Sequence, residues 1–280
     1  MSTLALYVLK YLIFMTQHTN IKKTVNICLL SFLLLMIGGI TVSCERDDGV
    51  SGNVSDTTDD GGGDIIVSDG LFSVSEIMKV RFAPSNLKAG GHGFTAHQYD
   101  YGGLFGWGTG NRPSFTSTSN DDYELFYDWG NYNSGGNWRT LYEEDWQYLL
   151  FDRVNASVKY GMGIVYGVQG LILLPDNWVS VPGCEFRAGY GWWKNHYDGE
   201  QWAKMEKAGA VFLPAAGYRW GTITYEDRVR GYYWVGVPAG RPIPFSNVPA
   251  VIFSGEYLGI EYCPRGQGCS VRLVENWEGN

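Results

Sequence analysis

Apolar and polar residues form short, regularly interrupted runs from about residue 65 onward. The segment FSVSEIMKVRFAPSNL (72–87) alternates with the two-residue period of a strand or hairpin edge. Further short runs, bounded by Gly, Pro, Asn or Asp, are typical of strands. They are VKYGMGIVYGV (158–168), GLILLPDNW (170–178), GAVFLPAAGYRW (209–220), GYYWVGVP (231–238), AVIFSG (250–255) and SVRLV (270–274).

Two segments have helical spacing instead. Thr140 and Glu143 fit a capping box, and apolar positions continue at helical intervals through Asp152. A second short helix is predicted from Gly199 to Ala208, followed by Gly209 as a stop signal. Helices ahead of most of the strands predict an α+β domain with a largely antiparallel sheet.

The start of the chain has the pattern of a secretory signal. Lys22 and Lys23 precede the apolar run VNICLLSFLLLMIGGI (25–40), which is shorter than a permanent membrane span. Ser43 and Cys44 then resemble the lipobox of bacterial lipoproteins, which implies lipid attachment at Cys44. We therefore expect residues 1–43 to be a signal peptide, with residues 1–14 as a misassigned start before Met15. A plain signal peptide or a membrane anchor, with Cys44 incidental, is the alternative.

Residues 44–64 are acidic and rich in Gly, Ser and Thr, so they predict a flexible tether. The acids just after Cys44 resemble the export signal of surface lipoproteins in Bacteroidetes, although Arg46 interrupts the match. An outer-membrane lipoprotein exposed at the cell surface is the expected location. Residues 65–280 are expected to form a single globular domain.

Composition supports a globular and acidic domain. Hydrophobic residues make up 45% of the chain and charged residues 18%, which favours a folded core. The formal net charge is -8, and all three Lys of the first 43 residues lie in the predicted signal. An acidic mature chain repels phosphate backbones, so nucleic acid is not an expected partner.

Seven segments, taken in order, resemble the Fibrobacter succinogenes major paralogous domain family of exported Bacteroidetes proteins. They are FAPSNL (82–87), QYDYGGLFGWGTG (98–110), NWRTLYEEDWQYLLFDR (137–153), GVQGLILLPDNW (167–178), WAKMEKAGAVFLPAAGYR (202–219), GYYWVGVP (231–238) and GCSVRLV (268–274).

The resemblance implies a C-type-lectin-like fold, similar to that of the formylglycine-generating, sulfatase-modifying factors. Such a fold places short, mostly antiparallel strands around two helices and ends on a Gly-x-Ser-Val-Arg-Leu strand. Relatives tend to have Ser-Ser-Thr where this chain has Val235, Gly236 and Val237. The segment 238–266 is individual to this chain, and in lectin-like folds that stretch builds the ligand-facing surface.

Cysteines offer one candidate chemistry. Cys263 and Cys269 flank PRGQG, which predicts a hairpin tip and either a structural disulfide or simple free thiols. A redox or catalytic pair, as in the sulfatase-modifying enzymes, is the alternative, but the surrounding Arg/Ser/Trp pattern of those enzymes is not evident. Cys184 is expected to be buried and inert.

Metal and acid–base sites have weaker support. Asp176 and Asn177 supply too few oxygens for calcium, so a turn after a buried strand is the preferred interpretation. The histidines of the mature chain lack zinc spacing, and no metal or cofactor is expected. Carboxylates at Glu143, Glu144 and Asp145 favour a helix start, and a glycosidase pair across a cleft stays open as an alternative.

Aromatic and basic residues predict a ligand-binding face. Trp192 and Trp193 open an aromatic and polar run that suits a sugar ring or a peptide, although packing beneath the loop is an alternative. The predicted face consists of Trp192, Trp193, Arg241, Phe245, Tyr257, Tyr262 and Arg265.

These features together predict a surface-tethered, non-enzymatic binding module. Its partners would be a glycan, or a protein of the envelope or of a host. The lipid anchor would attach the chain to the membrane. The alternatives are a structural or adhesive envelope component and an enzyme, either of the sulfatase-modifying type or a glycan hydrolase.

Overall fold

The computed structural model describes residues 70–108, 128–133, 137–238 and 247–278. All of them belong to one compact unit, Gly61–Asn280. The predicted signal peptide, Cys44 and the tether lie outside the described residues, so their assignments stay predictions. Within the part of the chain that the structure describes, no helix has both the length and the hydropathy of a membrane span.

The fold is mixed α+β with two helices and mostly antiparallel strands, as the sequence predicted. The helices are α1 (Glu143–Gln147) and α2 (Gly199–Lys207). The strands are β1 (Phe72–Ser73), β2 (Lys79–Phe82), β3 (Trp138–Thr140), β4 (Tyr160–Val165), β5 (Val168–Leu173), β6 (His196–Tyr197), β7 (Val211–Pro214), β8 (Tyr218–Trp220), β9 (Ile223–Tyr225), β10 (Arg230–Trp234), β11 (Asn247–Ser254), β12 (Leu258–Pro264) and β13 (Leu273–Trp277).

The strands form three larger sheets and a small hairpin. Their orders are β1-β2-β13-β3, β6-β4-β5-β7 and β10-β11-β12, with β8-β9 as the hairpin. Strand β13 near the end of the chain pairs with both β2 and β3, so the two ends of the described chain share one sheet. The β4–β6 pair is parallel, and the other described pairs of named strands are antiparallel.

Strand β11, in the middle of the β10-β11-β12 sheet, is buried on both faces, because its successive residues enter different apolar clusters. Val251 and Phe253 join a cluster with Trp146 of α1, whereas Ala250 and Ile252 join one with Trp107. A strand buried on both sides has no polar face, which accounts for the continuous apolar run of β11 in the sequence. A third cluster packs Trp202 and Met205 of α2 under β5 and β7.

Helix α2 begins and ends as its sequence predicts. The Asp198 carboxylate accepts from the Gln201 N–H at 2.8 Å, and the Gln201 side chain accepts from the Asp198 N–H at 3.1 Å. This is a reciprocal cap that satisfies two otherwise unpaired donors. Gly209 follows the helix with φ +95°, a conformation that glycine adopts without strain.

The predicted cap of the first helix was wrong. Thr140 belongs to β3, and its hydroxyl donates to the Asp128 carboxylate at 2.9 Å. Asp145 instead accepts from the Tyr142 N–H at 3.0 Å and pairs with Arg139 at 2.6 Å. After α1 the chain continues as one π-helical turn, Tyr148–Asp152.

Candidate functional site

A loop between β5 and α2 connects two of the sheets. The Gly189 N–H donates to the Tyr160 carbonyl at the start of β4, at 2.9 Å. Two residues later, the Gly191 N–H donates to the carbonyl of Gly255, which lies in the turn between β11 and β12, at 2.7 Å. Both glycines have positive φ, 87° and 106°, where a larger side chain would be strained. This backbone therefore fixes where the next side chains lie.

Four aromatic residues gather at this junction, and we call them the aromatic surface: Tyr160, Tyr190, Trp192 and Tyr257. The Tyr160 and Tyr190 rings meet edge to face with centroids 6.4 Å apart. Trp192 packs so closely on Gly255 that a Cβ there would lie 2.8 Å from its indole nitrogen. Tyr257 is near enough to Tyr190 for an electrostatic interaction.

The aromatic surface packs against the apolar core on its inner side and is exposed to solvent on its outer side. Tyr160 and Trp192 pack against the main apolar cluster, whereas Tyr190 is 41% and Tyr257 38% exposed. Aromatic rings held in this way offer flat apolar area at little entropic cost, with hydroxyls for hydrogen bonding. Such a surface suits a ligand that presents both C–H groups and polar groups.

Charged side chains border this surface. Burial, followed by a hydrogen bond with Glu261, raises the pKa of Tyr257 to about 12, so this phenol is neutral and can donate at physiological pH. Arg230 lies near enough to Tyr257 for an electrostatic interaction and also pairs with Glu226 at 3.7 Å. The site therefore offers donors and acceptors of both charge signs beside the rings.

The structure brings together part of the predicted face. Trp192 and Tyr257 belong to the aromatic surface, and Trp193 beside them is 80% exposed. Tyr262, 55% exposed on β12, donates instead to the Glu143 carboxylate at 3.2 Å.

Arg265 does not lie on that face. It is only 4% exposed, and its guanidinium stacks over the Trp107 ring at 5.1 Å. Because this contact buries the charge against an aromatic residue, Arg265 does not belong to the residues that face a ligand. Arg241 and Phe245 lie outside the described residues. Sequence reasoning missed Tyr160 and Tyr190, for which the only signals were a tyrosine at a strand start and the Gly-Tyr-Gly before Trp192.

The three cysteines in the described ranges, Cys184, Cys263 and Cys269, are buried and unbridged in the structure. A turn is present at PRGQG, where the Gln267 N–H donates to the Pro264 carbonyl at 2.9 Å. The two cysteines do not pair across it as in a hairpin: Cys263 pairs with Val248 of β11, and Cys269 forms a bridge with Phe105. Burial raises the pKa of Cys263 to about 11 and that of Cys269 well above its ordinary value. Thiols of this kind are poor nucleophiles because the reactive thiolate is disfavoured. The disulfide itself stays a prediction.

The other candidate chemical groups are engaged in structural contacts. Asp176 accepts from the Ser73 hydroxyl at 2.6 Å and from Arg153 at 3.2 Å, with Lys159 at 3.8 Å. Burial raises the pKa of Asp176, but the hydrogen bond from Ser73 and the charges of Arg153 and Lys159 together hold it below its ordinary value. The same cations oppose calcium at this turn. Across the described ranges, no group of three or more His, Cys, Asp or Glu is placed to hold a metal ion.

Comparisons with protein-family models, with curated proteins and with solved structures gave no significant match. Any inference about function therefore comes from the sequence and structure of this chain.

Proposed function

We propose that this chain is a surface-tethered lipoprotein whose globular part is a non-enzymatic binding module for a glycan or a protein. The observation that carries the proposal is the aromatic surface, which is held rigid by two backbone bonds and open to solvent. A site built on a rigid backbone loses little conformational entropy when a ligand binds.

The proposal includes a more specific architecture than mixed α+β. We infer a C-type-lectin-like architecture of the Fibrobacter succinogenes major paralogous type. In support, short antiparallel strands surround two helices, and the Gly-x-Ser-Val-Arg-Leu motif enters β13, which pairs with strands from the beginning of the described chain. The aromatic surface lies partly on the β11–β12 turn, inside the segment that differs from the family pattern.

The signal, the lipobox and the acidic tether support the location. A lipid on Cys44 would hold the module at a membrane, and the tether would let it reach outward. At such a position the module can reach glycans, envelope proteins and host proteins.

A binding array tests the proposal. The probe is residues 44–280 carrying Cys44→Ser, compared with Tyr190→Ala and Tyr257→Ala in the same background. Both residues are more than a third exposed, so these changes should leave the thermal midpoint almost unchanged. Trp277→Ala is the matched control, because Trp277 is equally exposed but on β13.

We expect a specific ligand whose signal falls in both tyrosine variants and persists in the control. A ligand bound equally by all four proteins would place the binding site elsewhere. Binding to nothing on the array would count against the recognition module.

A structural or adhesive role is the second candidate, favoured by the β8–β9 hairpin. Trp220, Ile223, Tyr225 and the nearby Val229 are all exposed by 40% or more. Clustered exposed apolar residues mark protein contacts. This role predicts a stable complex in detergent-solubilised envelopes that Ile223→Asp disrupts and Tyr190→Ala does not.

A further inference from the structure

A groove with a volume of about 420 Å³ lies between the end of β5 and the loop that leads to the aromatic surface. Its size falls in the range of small-molecule sites, roughly 300–1,000 Å³. None of its lining residues belongs to the aromatic surface.

The base of the groove is apolar, and aromatic side chains form part of its walls. Leu174 and Cys184 are buried at its base, and Trp178 and Phe186 line it while packing partly on the cluster around α2. Because the rings are supported from below, their outer parts are held in place rather than free to collapse into the opening. The groove therefore presents the rings of Trp178 and Phe186, in fixed positions, above an apolar base.

The wall formed by residues 183–187 is tied down by side chains from neighbouring elements. The buried Asn195 amide accepts from the Arg187 N–H and donates to its carbonyl, both at 2.8 Å. The Tyr197 hydroxyl donates to the Glu185 carbonyl at 2.7 Å, and Gln201 donates to the Gly183 carbonyl at 3.2 Å. Three independent anchors over five residues make this wall preorganised.

Polar side chains extend from that rigid wall into solvent. Glu185 and Arg187 are largely exposed, and their charged atoms lie 3.9 Å apart. An exposed pair at this distance contributes little to stability, so both groups can exchange water for a ligand. Ser180 adds a hydroxyl to the lining.

This arrangement matches the chemistry of a sugar ring. A pyranose has C–H faces that pack on aromatic rings and a rim of hydroxyls that bond to carboxylate, guanidinium and hydroxyl groups. Because the positive charge of Arg187 is balanced by Glu185, the groove has no net preference for an acidic ligand. We propose that the groove is a binding site for a neutral pyranose unit, separate from the aromatic surface of the proposed function.

Ligand-observed NMR titration with cellobiose, maltose and lactose, on residues 44–280 carrying Cys44→Ser, tests this assignment. We expect saturable binding of at least one disaccharide. Its affinity should fall about tenfold in Trp178→Ala, because a stacking surface is lost. Glu185→Gln and Arg187→Gln should each weaken binding severalfold without altering the thermal midpoint, since both side chains are exposed.

Trp193→Ala is the control for loss of a neighbouring exposed aromatic residue and should bind as wild type. Trp277→Ala, on β13 and outside both sites, is a second control and should also bind normally. If Trp178→Ala fails to fold, the two exposed variants decide the question. No saturable binding of any of the three disaccharides, or affinities unchanged in Trp178→Ala, Glu185→Gln and Arg187→Gln, would overturn the proposal.

Discussion

Arg272, in the Gly-x-Ser-Val-Arg-Leu motif, is a fully buried cation held by neutral groups. Its guanidinium donates to the Gln98 amide oxygen at 2.9 Å and, more weakly, to the Phe212 carbonyl and the Asn86 amide oxygen, both at 3.4 Å. The Gln98 amide nitrogen in turn donates to the Glu206 carboxylate at 2.8 Å. Burial lowers the pKa of Arg272 to about 10. The motif therefore has a structural role that joins β13, β7 and the segment around residue 98.

Replacing Arg272 should be costly for this reason. Arg272→Met retains apolar bulk but removes the buried bonds to Asn86 and Phe212 and leaves the Gln98 oxygen with the Phe212 N–H as its donor. We expect the free energy of unfolding to fall by about 3 kcal/mol. Arg272→Lys should recover only part of the loss, because an ammonium cannot reproduce the planar fork of donors. Urea denaturation measures both. Wild-type stability in Arg272→Met would show that the network contributes nothing.

At the scale of elements, the sequence predicted those whose signals are local. The limits of α2 are local, and Gly209 marks its end in the sequence. The turn at Tyr166 and Gly167 was missed, because residues 158–168 form one predicted run, whereas the structure divides them between β4 and β5. Strand β12 was missed because its apolar residues enter two clusters: Leu258 and Ile260 contact one, Cys263 the other. That pattern has no single period, and only the tertiary structure defines it.

The turn between β4 and β5 provides a test of local conformation. Tyr166 and Gly167 have φ of 48° and 80°, the positive pair that a two-residue hairpin turn requires. No atom lies within 4 Å of a Cβ placed on Gly167, so the cost of a side chain there is conformational alone. Gly167→Ala should lower the free energy of unfolding by about 1 kcal/mol.

Gly167→Asn is the control for that change, because asparagine tolerates positive φ better than alanine. We expect its midpoint in thermal denaturation to lie between those of wild type and Gly167→Ala. Equal midpoints for alanine and asparagine would contradict a conformational cause.

At the scale of the whole molecule, the candidate site depends on contacts that no local pattern reveals. The sequence indicated Trp192 and Tyr257, which lie far apart in the chain, as members of one face. It could not show that Gly191 and Gly255 join them, or that Tyr160 and Tyr190 complete the surface. Arg265 was misplaced for the same reason, since its burial depends on Trp107, which is distant in sequence.

Many buried tyrosines make the whole fold sensitive to alkaline pH. Burial is the largest cause that raises the pKa of Tyr197, Tyr232 and Tyr233 above the ordinary value of 10.0. Above that pH the unfolded chain releases protons that the folded chain keeps, so the free energy of unfolding falls as pH rises. Burial lowers the pKa of Arg272, Arg153, Arg219 and Lys159, and these groups act in the opposite direction. They are fewer than the described tyrosines whose pKa burial raises.

We therefore expect the urea midpoint to be lower at about pH 11 than at about pH 8. The share of the tyrosinate absorbance that comes from Tyr197, Tyr232 and Tyr233 should appear only with unfolding, because these buried hydroxyls ionise only once the fold opens. A midpoint that increases over this range would contradict the account.

Lipid attachment can be tested on the intact chain in a bacterial host. Cys44→Ala should abolish incorporation of labelled palmitate and move the protein from the membrane to the soluble fraction, because the acyl chains supply the anchoring. Cys28→Ala, inside the predicted signal, is the matched control and should stay labelled. Membrane retention of Cys44→Ala would favour the uncleaved anchor.

The most direct test of the central claim is an NMR titration of the indole N–H signals with the ligand that the array identifies. Trp192→Phe assigns the key signal in the mature chain carrying Cys44→Ser. We expect the Trp192 signal to shift in proportion to the fraction of protein that has ligand bound, whereas the Trp277 signal should not move. Saturation of the protein without any movement of the Trp192 signal would show that the ligand binds elsewhere and would contradict the proposed aromatic surface.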